Sequence, residues 1–179
     1  MVYIPDLELC PYHPGPLDSA EWAAPLKAIG WLEHPEPFNT GAVPDELIPR
    51  LKAIIDKTRT VYSQYKFRGI QRCSICEFAG LPSPGPIWSQ KNIFVPGQDA
   101  VYAAPGGIVH YIEEHSYLPP PEFVKAVLRC PDCGTDEYLK ALRKANRETD
   151  PPLVDYETDH RRYSERVKEI LAVSKGKNH

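Results

Sequence analysis

The sequence lacks any long hydrophobic run and any excess of positive charge. None of its apolar stretches approaches the roughly 18 residues needed to cross a membrane. Its net charge is −3 at neutral pH, so no global positive field would draw the chain to nucleic acid or to an anionic membrane. Binding of either kind would therefore have to come from a local patch.

The N-terminus also lacks the basic and apolar blocks of a secretory signal peptide, and we expect a cytoplasmic protein. The cysteines do not form an obvious disulfide set, since there are five of them and four fall into two C-x-x-C pairs. In a reducing compartment this pattern favours metal or redox chemistry over structural disulfides.

Proline is abundant, with 20 in 179 residues, about twice the usual share. Because proline ends helices and is confined to the edges of sheets, this excludes a long coiled coil and an uninterrupted helical bundle. Hydrophobic residues make up 42% of the chain and charged residues 25%, as in an ordinary globular domain. We therefore expect a folded core built from short elements.

Local patterns predict where these elements lie. Apolar residues at helical spacing predict a helix over 45–60 and a shorter one ending near His115. Strands are predicted over 68–75, 92–95 and 100–103, and a strand or helix near 28–32. Further helices are predicted over 122–128, 135–145 and 158–173.

These elements predict an α+β fold with a short antiparallel sheet, a ββα core like that of a zinc finger, several short helices and a C-terminal helix. We expect residues 1–148 to form a metal-binding domain with a proline-rich N-terminal arm. Residues 149–179 would form a linker and a charged helix.

The strongest functional signal is a pair of cysteines followed by a pair of histidines. Cys73-x-x-Cys76 can present two thiolates from one tight turn, and His110-x4-His115 can present two imidazoles from one short helix. Two sulfur and two nitrogen ligands complete the tetrahedral shell of a structural zinc ion. The sequence therefore predicts zinc at these four residues.

A second metal site is suggested by Cys130-Pro-Asp-Cys133 and by Cys10-Pro-Tyr-His13. Three interpretations remain open. All four C-x-x-C cysteines could share one zinc, or Cys10, His13, Cys130 and Cys133 could bind a second ion. Alternatively, Cys130 and Cys133 are a free or oxidisable pair.

Competing chemistries are less well supported. A thioredoxin-like centre needs a long helix after the C-x-x-C turn, and the residues after Cys76 have no such pattern. A catalytic zinc needs an open position, whereas two cysteines and two histidines close the shell, so we favour a protein that is not an enzyme. Lys66, Arg68 and Arg72 alternate with aromatic residues and could contact nucleic acid.

Several short motifs lie within about residues 28–128. They are Gly30-Trp-Leu32, Pro44-Asp-Glu-Leu47, Gly69 to Cys76, Val95-Pro-Gly97, Val101-Tyr-Ala-Ala-Pro105, His110-Tyr-Ile-Glu-Glu-His115 and Pro120-Pro-Glu-Phe123. In these motifs the chain resembles a family of small uncharacterised bacterial proteins with a CxxC knuckle and an HY[IV]xxH helix. The resemblance implies that the family shares the ligands Cys73, Cys76, His110 and His115. It also implies that Cys10, His13, Cys130 and Cys133 are individual features of this chain.

These observations predict a cytoplasmic zinc protein in which the metal is structural and the domain binds an unidentified protein partner. A nucleic-acid-binding regulator of zinc-finger type is the alternative, and a metal-dependent hydrolase or nuclease is the second alternative.

Overall fold

The computed structural model describes residues 3–10, 26–61, 72–82 and 91–146. In chain order, these residues form β1 (Leu9–Cys10), β2 (Leu26–Ala28), α1 (Leu47–Val61), α2 (Ser74–Phe78), β3 (Asn92–Pro96), β4 (Val101–Pro105), α3 (Ile108–His115), α4 (Pro121–Arg129) and α5 (Asp136–Ala145). The predicted α+β class is confirmed, and β3, β4 and α3 follow one another in the predicted ββα order.

The four strands form one mixed sheet in the order β1-β2-β4-β3. β3 and β4 pair antiparallel as a hairpin, and β1 pairs antiparallel with β2. β2 runs parallel to β4, which is possible because the chain between them is long enough for a crossover. The sheet is thus mixed, whereas the sequence predicted antiparallel pairing throughout.

The β3–β4 hairpin depends on a glycine. The Gly97 N–H donates to the carbonyl of Ala100 at 2.9 Å. A Cβ at Gly97 would lie 2.6 Å from Cε2 of Tyr102, closer than real Cβ contacts, so only glycine fits this turn without a rearrangement.

Helices α1, α4 and α5 each pack an apolar face against the sheet at β3. α1 buries Leu47, Leu51, Ile54 and Thr58, which are spaced to share one helical face. α4 and α5 both contact β3, and α1 contacts α3 and α4. The predicted helices over 45–60, 122–128 and 135–145 are confirmed.

Other predictions differ from the structure or lie outside it. The predicted strand over 68–75 is wrong at Ser74 and Ile75, which begin helix α2, and its residues 68–71 lie outside the described part. Residues 1–2 and 11–25 of the proline-rich arm and the helix predicted over 158–173 also lie outside the described part. Among the described residues, none of the helices combines the length and apolarity that a bilayer crossing requires.

Candidate metal centre

The two cysteines of the first pair lie at the start of helix α2. The Cys73 thiol caps this helix by accepting the N–H of Cys76 at 3.4 Å, and the carbonyl of Cys73 accepts the N–H of Glu77 at 3.0 Å. Capping by a side chain satisfies an N–H that the helix itself leaves unpaired. The same turn that starts the helix therefore directs both sulfur atoms to one side.

Two contacts fix α2 to the loop that precedes α1. Ser74 Oγ accepts the N–H of His34 at 2.9 Å, and the ring of Phe78 stacks on that of His34 with 3.6 Å between their centroids. These contacts hold the cysteine turn against His34, which is at least 40 positions away in the chain.

The two histidines lie on helix α3, whose opposite face is in the core. Ile108, Val109, Tyr111 and Ile112 are buried, while His110 and His115 are half-buried. The helix ends at His115 because Ser116 adopts a left-handed conformation with φ of 53°, and Tyr117 N–H donates back to the carbonyl of Tyr111 at 3.0 Å. A left-handed residue ends many helices, usually as glycine, and here a serine adopts that conformation.

The structure brings all four of these side chains together. His115 Nε2 lies 3.3 Å from the sulfur of Cys73 and 3.3 Å from that of Cys76. His110 Nε2 lies 3.4 Å from the Cys76 sulfur. All four ligand atoms are within 4.8 Å of one another, so two cysteines and two histidines could bind a single metal ion.

The environment of the cluster sets its protonation in the absence of an ion. Burial, together with the neighbouring Cys73 thiol, raises the pKa of Cys76 to about 11. Burial lowers the pKa of both histidines, and for His110 the adjacent His115 lowers it further. The imidazoles are therefore neutral at pH 7, as metal ligation requires, and a bound cation would favour the thiolates.

The carboxylates beside the histidines face solvent. Glu113 and Glu114 are exposed, and Glu113 accepts a hydrogen bond from Lys52 Nζ at 2.7 Å. This pair links α3 to α1 at the surface, where such bridges contribute little stability.

The second cysteine pair lies elsewhere. Cys130 ends α4, its carbonyl accepts a hydrogen bond from Arg50, and burial raises the pKa of its thiol to about 12. Cys133 Sγ lies 3.5 Å from the Thr58 hydroxyl. Both cysteines are reduced and buried, so their thiols are weak nucleophiles in this environment.

The interpretation in which four cysteines share one zinc does not agree with this arrangement. Within the described ranges, the only group of three or more potential ligands is the one around Cys73. Cys10 is buried in β1 and is not part of a second such group, while His13 lies outside the described residues.

Of the three basic residues that could contact nucleic acid, only Arg72 lies in the described part of the chain. Arg72 is exposed and directly precedes Cys73, whereas Lys66 and Arg68 lie outside the described residues.

Sequence reasoning missed Ser74, Phe78 and His34, which position the cysteine turn. No spacing pattern could have found them, because their contacts join distant parts of the chain.

Comparison with known proteins places the domain in a family. A family model described as a domain of unknown function, DUF7919, matches residues 2–128. No curated protein and no solved structure is detectably similar. The matched region contains all four clustered ligands and ends near the last turn of α4. The chain therefore belongs to the DUF7919 family of uncharacterised domains.

Proposed function

We propose that Cys73, Cys76, His110 and His115 bind one zinc ion. The observation that carries this proposal is the set of three sulfur to nitrogen distances of 3.3–3.4 Å. With Zn–S bonds of about 2.3 Å and Zn–N bonds of about 2.0 Å, ligands of a tetrahedral zinc lie about 3.5 Å apart. Two thiolates and two imidazoles are also the donor set that suits zinc best among common metals.

The ion has a structural role. Four protein ligands complete its shell and leave no position for a substrate or an activated water. The cluster joins α2 to α3, and its ligands Cys76 and His110 are 34 positions apart in the chain. In small modules, zinc ligation contributes folding free energy of order 10 kcal/mol. This contribution compensates for the short elements and the thin core.

Metal analysis of the purified protein tests this proposal. We expect one zinc per chain, and a chelator should lower the melting temperature. The Cys73→Ser variant should lose the metal, whereas Cys133→Ser, the matched control, should retain it. Replacement by Co²⁺ should give the intense visible absorption of a tetrahedral site. A zinc-free protein whose melting is unaffected by chelator would refute the proposal.

The zinc domain extends over residues 1–148, with residues 149–179 as an extension, and it acts as a cytoplasmic module that binds another protein. Phe78 supports this role because its side chain is 73% exposed next to the cysteine turn. A large exposed aromatic is typical of an interaction surface.

Titration with a partner separates this role from nucleic-acid binding. Phe78→Ala should abolish binding to a protein partner even in molecules that retain zinc. Zinc content is measured on the same sample because Phe78 also stacks on His34 beside the cysteine turn, and the matched control Glu46→Ala should bind normally. Binding of DNA or RNA that weakens steeply with salt and depends on Arg72 would instead support a nucleic-acid-binding regulator.

A further inference from the structure

A groove of about 500 Å³ lies along α4, away from the metal ligands. Its walls are mostly apolar side chains from α4, from residues 118 and 119 that lead into it, and from Pro44, which precedes α1. They are Pro44, Leu118, Pro119, Pro121, Val124 and Leu128.

Helix α4 presents apolar residues on two faces. Phe123, Ala126 and Val127 are buried in the core. Val124 and Leu128 line the groove on the other side, and Leu128 is 42% exposed. A helix that packs on a core needs only one apolar face, so the second face is available for another segment.

The groove also carries a charge that restricts its occupant. The charged side chains that line it are Lys125 and Arg129, both of them cations and both exposed. A segment with apolar side chains and acidic neighbours would complement this surface in both respects.

The chain contains such a segment shortly after α5. Residues 147–159 include five acidic residues and one basic residue, Arg147, and three apolar side chains, Leu153, Val154 and Tyr156. The residues that follow, 160–179, are rich in lysine and arginine and would be repelled by Lys125 and Arg129. Only the first part of the extension therefore matches the groove.

The reach of the segment depends on the connection from α5. α5 and α4 both contact β3, so the two helices lie on the same part of the sheet. Leu153 lies seven positions beyond Asn146, the last described residue, and this stretch of chain can extend over about 23 Å. Because the segment is tethered, its effective concentration at the groove is about millimolar, and weak contacts suffice for docking.

We propose that residues 147–159 dock in the groove along α4, with Leu153 and Val154 against Val124 and Leu128 and the acidic side chains near Lys125 and Arg129. This interaction is independent of the metal. It would cover a surface of the family domain with a segment from outside the matched region.

Carbodiimide crosslinking of the full-length protein, read by mass spectrometry, tests the proposal. Lys125 should couple to an acidic residue of 147–159, while Lys140, an exposed lysine of α5, should do so far less. In a mixture of ¹⁴N- and ¹⁵N-labelled protein at about 10 µM, links within one chain should exceed links between chains by about a hundredfold. Coupling of Lys125 no greater than that of Lys140, or links mainly between chains, would overturn the proposal.

Methyl NMR of the full-length chain provides a second test that does not depend on crosslinking geometry. Leu153→Asp should shift the methyl resonances of Val124 and Leu128. The matched variant Val173→Asp, outside the proposed segment, should leave them in place. Resonances that do not respond to Leu153→Asp would also overturn the proposal.

Discussion

Tyr117 and Asp6 join the end of the histidine helix to the N-terminal segment. The Tyr117 hydroxyl lies 2.8 Å from each oxygen of the Asp6 carboxylate, 111 residues away in the chain. Asp6 Oδ1 also accepts the N–H of Gly30 at 2.8 Å. Tyr117 is fully buried, so its hydroxyl depends on this partner.

Tyr117→Phe should therefore destabilise the protein by about 1.5–3 kcal/mol, the usual contribution of a hydrogen bond to a charged group. Urea denaturation followed by circular dichroism measures the change. Tyr3→Phe is the matched control, since the Tyr3 hydroxyl makes only an exposed contact of 3.5 Å with the Pro37 carbonyl. Equal stability of the two variants would contradict the importance of the Asp6 contact.

Asp6 makes stability depend on pH in an unusual direction. Burial raises the pKa of its carboxyl, although the hydrogen bonds from Gly30 and Tyr117 oppose this rise. A carboxyl whose pKa is higher in the folded state contributes most below its unfolded pKa, and this contribution is lost as pH rises through the folded value.

We therefore compare the free energy of unfolding of the wild type with that of Asp6→Asn as pH increases from about 3 to 6, around the ordinary carboxyl pKa. The wild type should lose stability relative to Asp6→Asn over this range. A relative gain by the wild type would mean that the hydrogen bonds outweigh burial.

His115→Ala should remove the imidazole whose Nε2 is 3.3 Å from both cysteine sulfurs. With three protein ligands left, zinc affinity should fall by at least about a hundredfold. Competition with a chromogenic chelator measures this affinity. Glu114→Ala, at an exposed residue beside His115 that is outside the cluster, should retain zinc, and equal loss in both variants would rule out a specific role for His115.

Lys91 stabilises the end of α1. Its side chain is buried, and Nζ donates to the carbonyls of Arg59 at 3.0 Å and Thr58 at 3.3 Å. A cation at a helix C-terminus satisfies carbonyls that have no partner within the helix and interacts favourably with the helix dipole.

Lys91→Met should cost about 1–3 kcal/mol because these carbonyls would lose their charged donor. Thermal unfolding measures the loss, with Lys140→Met on the exposed face of α5 as the control. If both substitutions have the same small effect, Lys91 does not act as a cap.

Features encoded by neighbouring residues were predictable. Helices α1, α4 and α5 follow from apolar residues at helical spacing, and for α4 from a proline at its first position. The hairpin of β3 and β4 follows from two short apolar runs on either side of Gly97. The prediction of a strand at Ser74 and Ile75 was wrong because the Cys73 thiol caps a helix there, a contact that competes with the extended conformation favoured by the apolar pattern.

The sequence by itself determined the candidate ligands, because a C-x-x-C turn and two histidines on one helix each depend on local spacing. Only the tertiary structure decided that these two halves meet, that Cys130 and Cys133 lie apart from them, and that β2 runs parallel to β4. Those outcomes depend on contacts between distant segments such as Asp6 with Tyr117 and His34 with Ser74. Their formation reflects the packing of the whole core, which no local spacing encodes.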